Sequence, residues 1–442
     1  DLVRSRGLGD VYKRQILGLQ IKKLILPLHR LNLNKPDKKQ NKSGMEAFFK
    51  THKYLVEHTD APVRRALMDE IDWSDRLIGI KGTRGVGKTT FLLQYAKENF
   101  DADDRKCLYV NMNNFYFQGR GIADFAADFY NLGGEVLLVD QVFKQPEWSR
   151  ELRLCHDNCP GLKIVFTGSS VMRLKDENPE LNGIVKSYNL RGFSFREYMN
   201  LLTGSKLPIY GLDDILEHHE EIATKIIGEC SDVPEYFRSY LHHGFYPFFL
   251  EHRNFEENLL KTMNMMTEVD ILLIKQIELK YLTKIKKLFY LLALDGAKAP
   301  NISNLAHDIS TSRATVMNYI KYLSDARLIN MIYNPGDEFP KKPAKIMMHN
   351  PNLLYAIYPI VARTQEVMET FFVNTLWKDH KVHQTGKDAC YIVDDDRRCR
   401  IVDAASTSRL RNTAKTIYAE YNTPNGIGKD NHVPLWLFGL LY

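Results

Sequence analysis

The stretch that decides the fold is DRLIGIKGTRGVGKTTFLLQYAKE, residues 75–98. It begins with a short apolar segment, residues 77–80, of the kind found in buried strands. A loop with the spacing G-x-x-x-x-G-K-T follows, and apolar residues at helical spacing come after the loop. Glycines leave the backbone N–H groups of such a loop open to an anion. Strand, loop and helix in this order therefore predict a site for a phosphate chain.

The residue types of this loop indicate which ligands it takes. Lys88 is expected to reach the outer phosphates of a nucleotide, and the hydroxyl of Thr89 is expected to bind magnesium. The helix that starts here adds free N–H groups and its dipole. ATP and Mg²⁺ are the predicted ligands, and the predicted nucleotide-binding residues are Gly82, Thr83, Arg84, Gly85, Val86, Gly87, Lys88, Thr89 and Thr90.

Three more strands are predicted downstream, at residues 106–113, 135–140 and 162–170. Asp140 ends one of them, and Thr167 lies near the end of the last. Ligands of open parallel sheets bind at the carboxyl ends of strands. We therefore expect Asp140 to hold magnesium together with Thr89, and Thr167 to lie beside the attacking water. A helix-cap role for Asp140 and an ordinary strand-end role for Thr167 are the alternatives.

The order of motifs resembles a prokaryotic family of AAA ATPases within the AAA+ superfamily of P-loop proteins. The resemblance covers residues 45–442 and rests on GTRGVGKTT (82–90), LLVDQVFKQPEW (137–148), KIVFTGSS (163–170), LRGFSFREYM (190–199), HHGFYP (242–247) and VPLWLFGLLY (433–442). It implies an α/β fold: a P-loop parallel sheet with a helical lid, a winged helix and a C-terminal α/β endonuclease-like domain.

The expected organisation has five parts. They are a non-native or disordered leader at 1–44, a nucleotide-binding core at 45–205, a lid at 206–280, a winged helix-turn-helix at 281–337 and a degenerate endonuclease-like domain at 338–442. The leader is set aside because it has no usable periodicity, and Met45 follows a lysine- and asparagine-rich linker.

The resemblance also implies roles for single residues. Thr167 matches the polar sensor beside the magnesium strand, and Gly244 and Pro247 match a lid motif near the nucleotide. Arg191 and Arg173 are candidates for an arginine that senses or neutralises the γ-phosphate, since a guanidinium reaches several phosphate oxygens. A surface ion pair is the alternative for each arginine.

Gln141 departs from the family pattern. Relatives carry a Walker B glutamate at this position, which polarises the attacking water. An amide can orient that water but cannot accept its proton. The predicted catalytic group is Lys88, Asp140, Gln141, Thr167 and Arg191, with hydrolysis slowed unless Glu147 or a partner's carboxylate substitutes.

Residues 285–333 show three helical patterns typical of a winged helix-turn-helix. Arg313, Asn318 and Lys321 are expected to face outward from the third helix. Contact with DNA and plain packing between domains are both open interpretations.

In the C-terminal domain the acidic candidates for a nuclease site are Glu369, Asp388 and Asp403. Alanines follow Asp403 where such sites need a lysine, so we do not expect DNA cleavage.

The composition fits this reading: 442 residues, 44% hydrophobic and 26% charged, with a net charge of +6 and six cysteines. These values predict a globular chain of two to four domains in a reducing cytoplasm, with no membrane segment. We expect a magnesium-dependent AAA+-type ATPase acting as a molecular switch, with a protein partner that the sequence does not identify. A nucleic-acid-binding regulator with nucleotide as a structural ligand is the alternative.

Overall fold

The structure is a computed structural model that describes residues 38–172, 174, 178–230, 232–251, 254–357, 363–386, 389–409 and 416–442. The chain divides into two compact units, residues 1–51 and residues 52–442. The described part of the first unit belongs to helix α1 (Lys38–Glu57). Residues 38–44, which the sequence assigned to the leader, are thus helical, and residues 1–37 lie outside the described residues.

A five-stranded parallel sheet organises the first half of the larger unit. Its strands are β1 (Leu77–Gly82), β2 (Cys107–Asn111), β3 (Val136–Asp140), β4 (Lys163–Ser169) and β5 (Lys186–Asn189). The strand order is β2-β3-β4-β1-β5, and every neighbouring pair is parallel. Strand β4 therefore separates the strand of the glycine-rich loop from the strand of Asp140, and it carries Thr167 between them.

Five helices accompany this sheet: α2 (Leu67–Glu70), α3 (Lys88–Asn99), α4 (Ile122–Asn131), α5 (Trp148–Asn158) and α6 (Phe195–Thr203). The sequence SFRE starts α6 with a reciprocal cap. Ser194 Oγ accepts a hydrogen bond of 3.0 Å from the backbone N–H of Glu197, whose carboxylate accepts one of 3.1 Å from the N–H of Ser194. This cap satisfies two N–H groups that a helix start would leave unpaired.

The middle of the chain is helical, as its three- and four-residue periodicity predicts. It contains α7 (Leu212–Glu229), α8 (Val233–Ser239), α9 (Phe255–Met265) and α10 (Leu272–Ile274). Two segments are wound as π-helix, Tyr240–Gly244 and Met266–Ile271. Such wide turns are frequent at functional sites, and both segments are adjacent to residues of the candidate site.

Three helices and an antiparallel strand pair come next: α11 (Leu282–Asp295), α12 (Ile302–Asp308), α13 (Arg313–Asp325), β6 (Ile329–Ile332) and β7 (Lys345–Met348). Ser312 caps α13 by accepting from the N–H of Thr315 at 3.1 Å. Arg313 and Asn318 are exposed, as expected. Lys321 is not free to face outward, because it donates to Asp325 at 2.6 Å and lines a cavity.

A separate mixed sheet forms the C-terminal region. Helices α14 (Pro351–Ile357) and α15 (Thr364–Leu376) precede strands β8 (Val382–Gln384), β9 (Cys390–Val393), β10 (Arg397–Asp403), β11 (Thr416–Tyr421) and β12 (His432–Pro434), in the order β12-β11-β10-β9-β8. A 3₁₀ segment, Leu435–Leu440, then returns to the first sheet domain, where Gly439 packs on Phe195. No helix among the described residues is long and apolar enough to span a bilayer.

Glu366, in the first turn of α15, should make stability depend on pH. Burial raises the pKa of its carboxyl to about 7 from 4.5, and Glu369 contributes to the rise while Arg363 opposes it. The pKa of this carboxyl is higher in the folded protein than in the unfolded chain. Its contribution to the free energy of unfolding is therefore fully present below about pH 4.5 and is lost as the pH rises through 7.

Glu366→Gln is therefore expected to raise the free energy of unfolding at pH 8 by about 2–3 kcal/mol, with a much smaller gain at pH 5. Urea unfolding of both proteins at the two pH values measures this. Glu235→Gln, on the exposed face of α8, is the matched control. An equal effect at both pH values would show that Glu366 does not titrate as described.

Candidate nucleotide site

The glycine-rich loop is shaped by two glycines in left-handed conformation. Gly85 has φ 79° and Gly87 has φ 89°, which residues with a β-carbon rarely adopt. At Gly85 a β-carbon would also lie 2.7 Å from Phe248. Helix α3 starts directly after Gly87, and the free N–H groups of such a helix start are donors that an anion can use.

Lys88 is drawn into this loop by the loop's own carbonyls. Its Nζ donates to the carbonyl oxygens of Gly82 at 2.8 Å and of Thr83 at 2.7 Å. Burial lowers the pKa of Lys88 to about 8, against the opposing influence of Asp270 and Asp140. A desolvated ammonium at the start of a helix is suited to bind phosphate oxygens.

Asp140 is the centre of a hydrogen-bond network at the end of β3. Its Oδ2 accepts from Thr89 Oγ1 at 2.7 Å, from Tyr109 Oη at 2.9 Å and from Asn111 Nδ2 at 3.2 Å. Its Oδ1 accepts from Thr167 Oγ1 at 2.5 Å. Asp140 is 1% exposed, so these donors compensate for the water that a buried carboxylate loses. The structure thus brings Thr89, Asp140 and Thr167 together, as the sequence predicts.

Thr89 and Asp140 fit a magnesium ion by their chemistry. A hydroxyl and a carboxylate, 2.7 Å apart, are hard oxygen ligands, which Mg²⁺ prefers, and Mg²⁺ usually takes only one or two protein ligands beside phosphate and water. The remaining donors to Asp140 orient its carboxylate toward the loop. These two residues are the ones that would hold the ion.

Gln141 lines the cavity, whereas Glu147 does not. The backbone N–H of Gln141 donates to Thr167 Oγ1 at 2.9 Å, and the residue is left-handed with φ 57° and ψ 47°. Glu147 is left-handed too, but its side chain is 72% exposed and lies 3.4 Å from Arg150. Of the two residues, only Gln141 is in a position to contact a ligand in the cavity.

The cavity itself has a volume of about 480 Å³. That is within the usual range for a small-molecule ligand. One wall comes from the segment before α2, residues 60–63, and another from Pro247 and Phe248. Pro247, a residue of the predicted lid motif, therefore lines the cavity. Gly244 instead allows close packing, since a β-carbon there would lie 2.8 Å from Tyr198.

Arg65 forms hydrogen bonds that hold the phosphate loop in place, a role that the sequence pattern does not predict. Its guanidinium donates to Glu197 Oε1 at 3.0 Å, to the carbonyl of Val86 at 3.1 Å, and to the carbonyls of Arg191 at 2.7 Å and Gly192 at 3.1 Å. Arg65 is 7% exposed. It ties the phosphate loop to the start of α6, and the carboxylate of Glu197 pairs its buried charge.

Arg191 is not brought to the nucleotide cavity, contrary to its predicted role. Its Nη2 donates to the carbonyl oxygen of Asn374 at 2.5 Å, and its guanidinium lies 5.5 Å from the ring centroid of Tyr442. The C-terminal helix α15 thus binds this side chain, which sequence order alone does not reveal. The other candidate, Arg173, lies outside the described residues.

A buried carboxylate, Asp270, binds the phosphate loop from the π-helical segment Met266–Ile271. It forms a forked ion pair with Arg84, with N–O distances of 2.8 Å, 3.1 Å and 3.1 Å. Both residues line the nucleotide cavity. Asp270 is 2% exposed. Its negative charge therefore faces the space that a triphosphate would occupy, with little screening by solvent.

Asp270→Asn is expected to tighten ATP binding by about five-fold, corresponding to roughly 1 kcal/mol of relieved repulsion. Isothermal titration calorimetry with Mg·ATP measures this. Glu268→Gln is the matched control, since Glu268 lies in the same segment but pairs with Lys286 at 2.5 Å on the surface. Weaker binding by Asp270→Asn would show instead that the Asp270–Arg84 pair helps to hold the nucleotide.

The acidic candidates of the C-terminal domain do not assemble into a metal cluster among the described residues. Glu369 is buried and accepts from Lys345 Nζ at 2.7 Å and from Tyr391 Oη at 2.5 Å. Asp403 accepts from Asn422 Nδ2 at 3.3 Å. Asp388 lies outside the described residues. The lysine beside Glu369 is Lys345 of β7. The sequence pattern does not indicate this pairing, because the two residues lie in different segments.

Comparison with known protein families gives two matches. Residues 74–199 match an AAA domain, and residues 234–363 match a domain of unknown function, DUF8612. The AAA match spans the parallel sheet and the glycine-rich loop, so this part of the chain is similar to AAA domains. A winged helix and an endonuclease-like domain are not among these matches.

Individual relatives are distant. The uncharacterized protein MJ1637 of Methanocaldococcus jannaschii is 27% identical over 286 residues, which are 61% of this chain and 60% of the relative. The chain thus spans less than two thirds of the relative's length.

Three solved structures also share similarity with this chain. C. elegans PCH-2 has a TM-score of 0.22 and 17% identity, over 38% of this chain and 47% of that chain. The Aeropyrum pernix ORC1 protein in complex with DNA has a TM-score of 0.29 and 11% identity, over 72% and 93%. A DNA replication initiation factor has a TM-score of 0.21 and 13% identity, over 66% and 90%. These scores are too low to carry a structural argument.

Proposed function

We propose that this chain is a magnesium-dependent ATP-binding protein that hydrolyses ATP slowly and acts as a switch between nucleotide states. The observation that carries the proposal is the contact of 2.7 Å between Thr89 Oγ1 and Asp140 Oδ2. Thr89 directly follows Lys88, whose ammonium is bound by the loop carbonyls. This contact joins a phosphate-binding loop to a carboxylate at a strand end, which is the arrangement that P-loop proteins use for Mg·ATP.

The residues of the cavity have separate tasks in this proposal. The loop N–H groups and Lys88 bind the phosphates, and Thr89 and Asp140 hold the metal. Magnesium, when bound, supplies positive charge that neutralises the phosphate oxygens. Thr167, which accepts from the Gln141 N–H and donates to Asp140, fixes the backbone next to the reacting water. Gln141 orients that water without removing its proton.

Slow hydrolysis gives the ATP state a long lifetime. The pair between Arg84 and Asp270 connects the phosphate loop to the helical middle of the chain. A bound triphosphate competes with Asp270 for Arg84, so nucleotide state and the position of residues 266–271 are coupled. Contacts to the γ-phosphate that form with ATP and are lost after hydrolysis are the usual basis of such switches.

The proposal keeps the predicted organisation: a core at 45–205, a lid at 206–280, a winged helix at 281–337 and a C-terminal domain at 338–442, in a cytoplasmic protein with a protein partner. We do not propose DNA cleavage, because Lys345 and Tyr391 bind the carboxylate of Glu369 that a nuclease would need for metal.

A nucleic-acid-binding regulator is the second candidate function. It is favoured by the exposure of Arg313 and Asn318 on α13, the helix that would enter a groove. Against it, Lys321 is bound to Asp325, and Lys284 and Lys287 donate to the carbonyls of Ser310 and Asp308. ATP turnover with and without duplex DNA separates the two functions, since only the regulator should respond to DNA.

The proposed function is tested by ATP binding in Mg²⁺ and in EDTA, followed by steady-state phosphate release. We expect ATP binding that weakens in EDTA, with turnover well below the ~1 s⁻¹ common for enzymes. Asp140→Asn serves as the site variant and should lose the magnesium dependence. Absence of ATP binding in Mg²⁺ would contradict the proposal.

A further inference from the structure

A second, smaller cavity borders the phosphate loop at Gly82 and Thr83, whereas the nucleotide cavity is lined by the loop from Arg84 onward. Its volume is about 100 Å³. Three segments between helices and strands supply its cationic side chains. These are Arg191 after β5, Arg327 between α13 and β6, and Lys378 after α15. It is therefore enclosed by parts of the chain that are far apart in sequence.

Among the described residues, neither arginine of this cavity forms an ion pair with a carboxylate. Arg191 uses one nitrogen to donate to the Asn374 carbonyl, but its Nε is buried and has no hydrogen-bond partner. The guanidinium of Arg327 makes no hydrogen bond or ion pair with any residue in the described ranges. Burial, and the charge of Arg191 next to it, lower the pKa of Arg327 to about 10, while the negative charge of Asp325 opposes this shift. Arg327 is thus charged at neutral pH, and it lies close to Arg191.

The other titratable groups that line this smaller cavity do not compensate this charge. Lys378 is already paired, with Glu70 at 2.8 Å and Asp379 at 3.2 Å. His349 is buried, and its Nδ1 contacts Asn330 Oδ1 at 2.8 Å. Burial and the two arginines hold the pKa of His349 well below its usual range, so the imidazole is neutral. The net charge in the cavity therefore comes from Arg191 and Arg327.

A partly buried charge without a counter-ion is costly, and two such charges of the same sign repel each other. An anion placed between the guanidiniums removes both penalties. The planar fork of arginine matches the oxygens of phosphate, which two forks can bind together. Ser170 and Asn189 add neutral polar groups to the wall. The volume suits a tetrahedral oxyanion and is too small for a whole nucleotide.

A larger cavity of about 560 Å³ adjoins this one and shares Ser170, Arg327 and Trp377 with it. Its walls include Lys321, Lys381 and His383. A ligand with a terminal phosphate would thus have room for its remaining part next to the guanidiniums. The larger cavity contains the carboxylates Asp325 and Asp337, so the strongest preference for negative charge is in the smaller cavity.

We propose that the cavity between Arg191 and Arg327 is a second anion site, distinct from the nucleotide cavity, that binds a phosphate group. The phosphate is either free or the terminal group of a small phosphorylated molecule whose remainder occupies the adjoining cavity. Neither arginine lines the nucleotide cavity.

Equilibrium dialysis with radiolabelled inorganic phosphate tests the site, with the nucleotide cavity first saturated by Mg·ADP. We expect the wild-type chain to bind one phosphate beside the ADP. Arg327→Gln and Arg191→Gln should each weaken this binding about ten-fold or more, since each removes charged hydrogen bonds. Arg238→Gln is the matched control, because Arg238 is exposed and pairs with Glu235 on the surface.

Arg327→Lys is a second variant that retains a charge but not the fork, and it should bind phosphate with intermediate affinity. Competition by ribose 5-phosphate separates the two sources of phosphate. Displacement of the label at lower concentrations than inorganic phosphate indicates a phosphorylated small molecule, and displacement by inorganic phosphate alone indicates the free ion. Wild-type protein that binds no phosphate besides ADP, or folded Arg327→Gln and Arg327→Lys variants that bind phosphate as wild type does, would overturn the proposal.

Discussion

Replacing Gln141 by glutamate is expected to raise kcat for ATP hydrolysis by about 10²- to 10⁴-fold, the usual contribution of general-base catalysis. Gln141 lines the nucleotide cavity, and its backbone is fixed by the hydrogen bond of its N–H to Thr167. The glutamate side chain has the same length as that of glutamine, and it would sit on the same left-handed backbone. The carboxylate should therefore take the place of the amide. ATP affinity should change little, because Lys88, Thr89 and Asp140 are untouched.

Steady-state phosphate release on both proteins measures this effect, with titration calorimetry for ATP affinity. Gln145→Glu is the matched control, since Gln145 follows the same strand but does not line the cavity. Its kcat should equal that of the wild type. If the wild type already turns over at ~1 s⁻¹ or faster and Gln141→Glu adds nothing, then Gln141 does not limit the reaction.

Lys88→Ala is expected to weaken ATP binding by about 10- to 100-fold, which corresponds to the 1.5–3 kcal/mol of a hydrogen bond to a charged group. The ammonium is the cation that the loop places at the phosphates, and its loss leaves only neutral N–H donors there. Among the described residues, the Lys88 side chain bonds only to the carbonyls of Gly82 and Thr83, and the hydrogen bonds between β1 and its neighbouring strands do not involve it. The fold should therefore be retained.

Titration calorimetry with Mg·ATP tests Lys88→Ala, and circular dichroism checks that the variant is folded. Lys186→Ala is the control, because Lys186 is exposed on the edge strand β5 of the same sheet. Unchanged affinity in a folded Lys88→Ala protein would remove Lys88 from the site.

The sequence predicts the part of the site that depends on local patterns. The loop residues, Asp140 and Thr167 are recognisable because apolar strands end in polar residues and parallel strands present their carboxyl ends at one edge. Asn111 carries the same signal at the end of β2, where it donates to Asp140. The AAA match over 74–199 agrees with this local reading.

Other parts of the site depend on contacts between distant segments, which periodicity does not encode. Arg65 and Glu197 are 132 positions apart, and Arg84 and Asp270 are 186 positions apart. Arg191 follows a strand end as an arginine sensor would, yet the carbonyl of Asn374 binds its guanidinium. In each case the partner is set by how the later helices pack, and this packing is a property of the whole chain.

The 3₁₀ segment Leu435–Leu440 has a consequence for how the protein is made. Phe195, at the start of α6, packs on Trp436 with ring centroids 6.5 Å apart, and the N–H of Tyr210 donates to the carbonyl of Leu440 at 3.1 Å. On the ribosome, roughly 240 further residues must be added after Phe195 before these partners exist, which takes about 12–50 s at 5–20 residues per second. During that interval Phe195 lacks the aromatic partner Trp436, so chaperones that bind apolar surface should accompany synthesis until the segment Leu435–Leu440 has emerged.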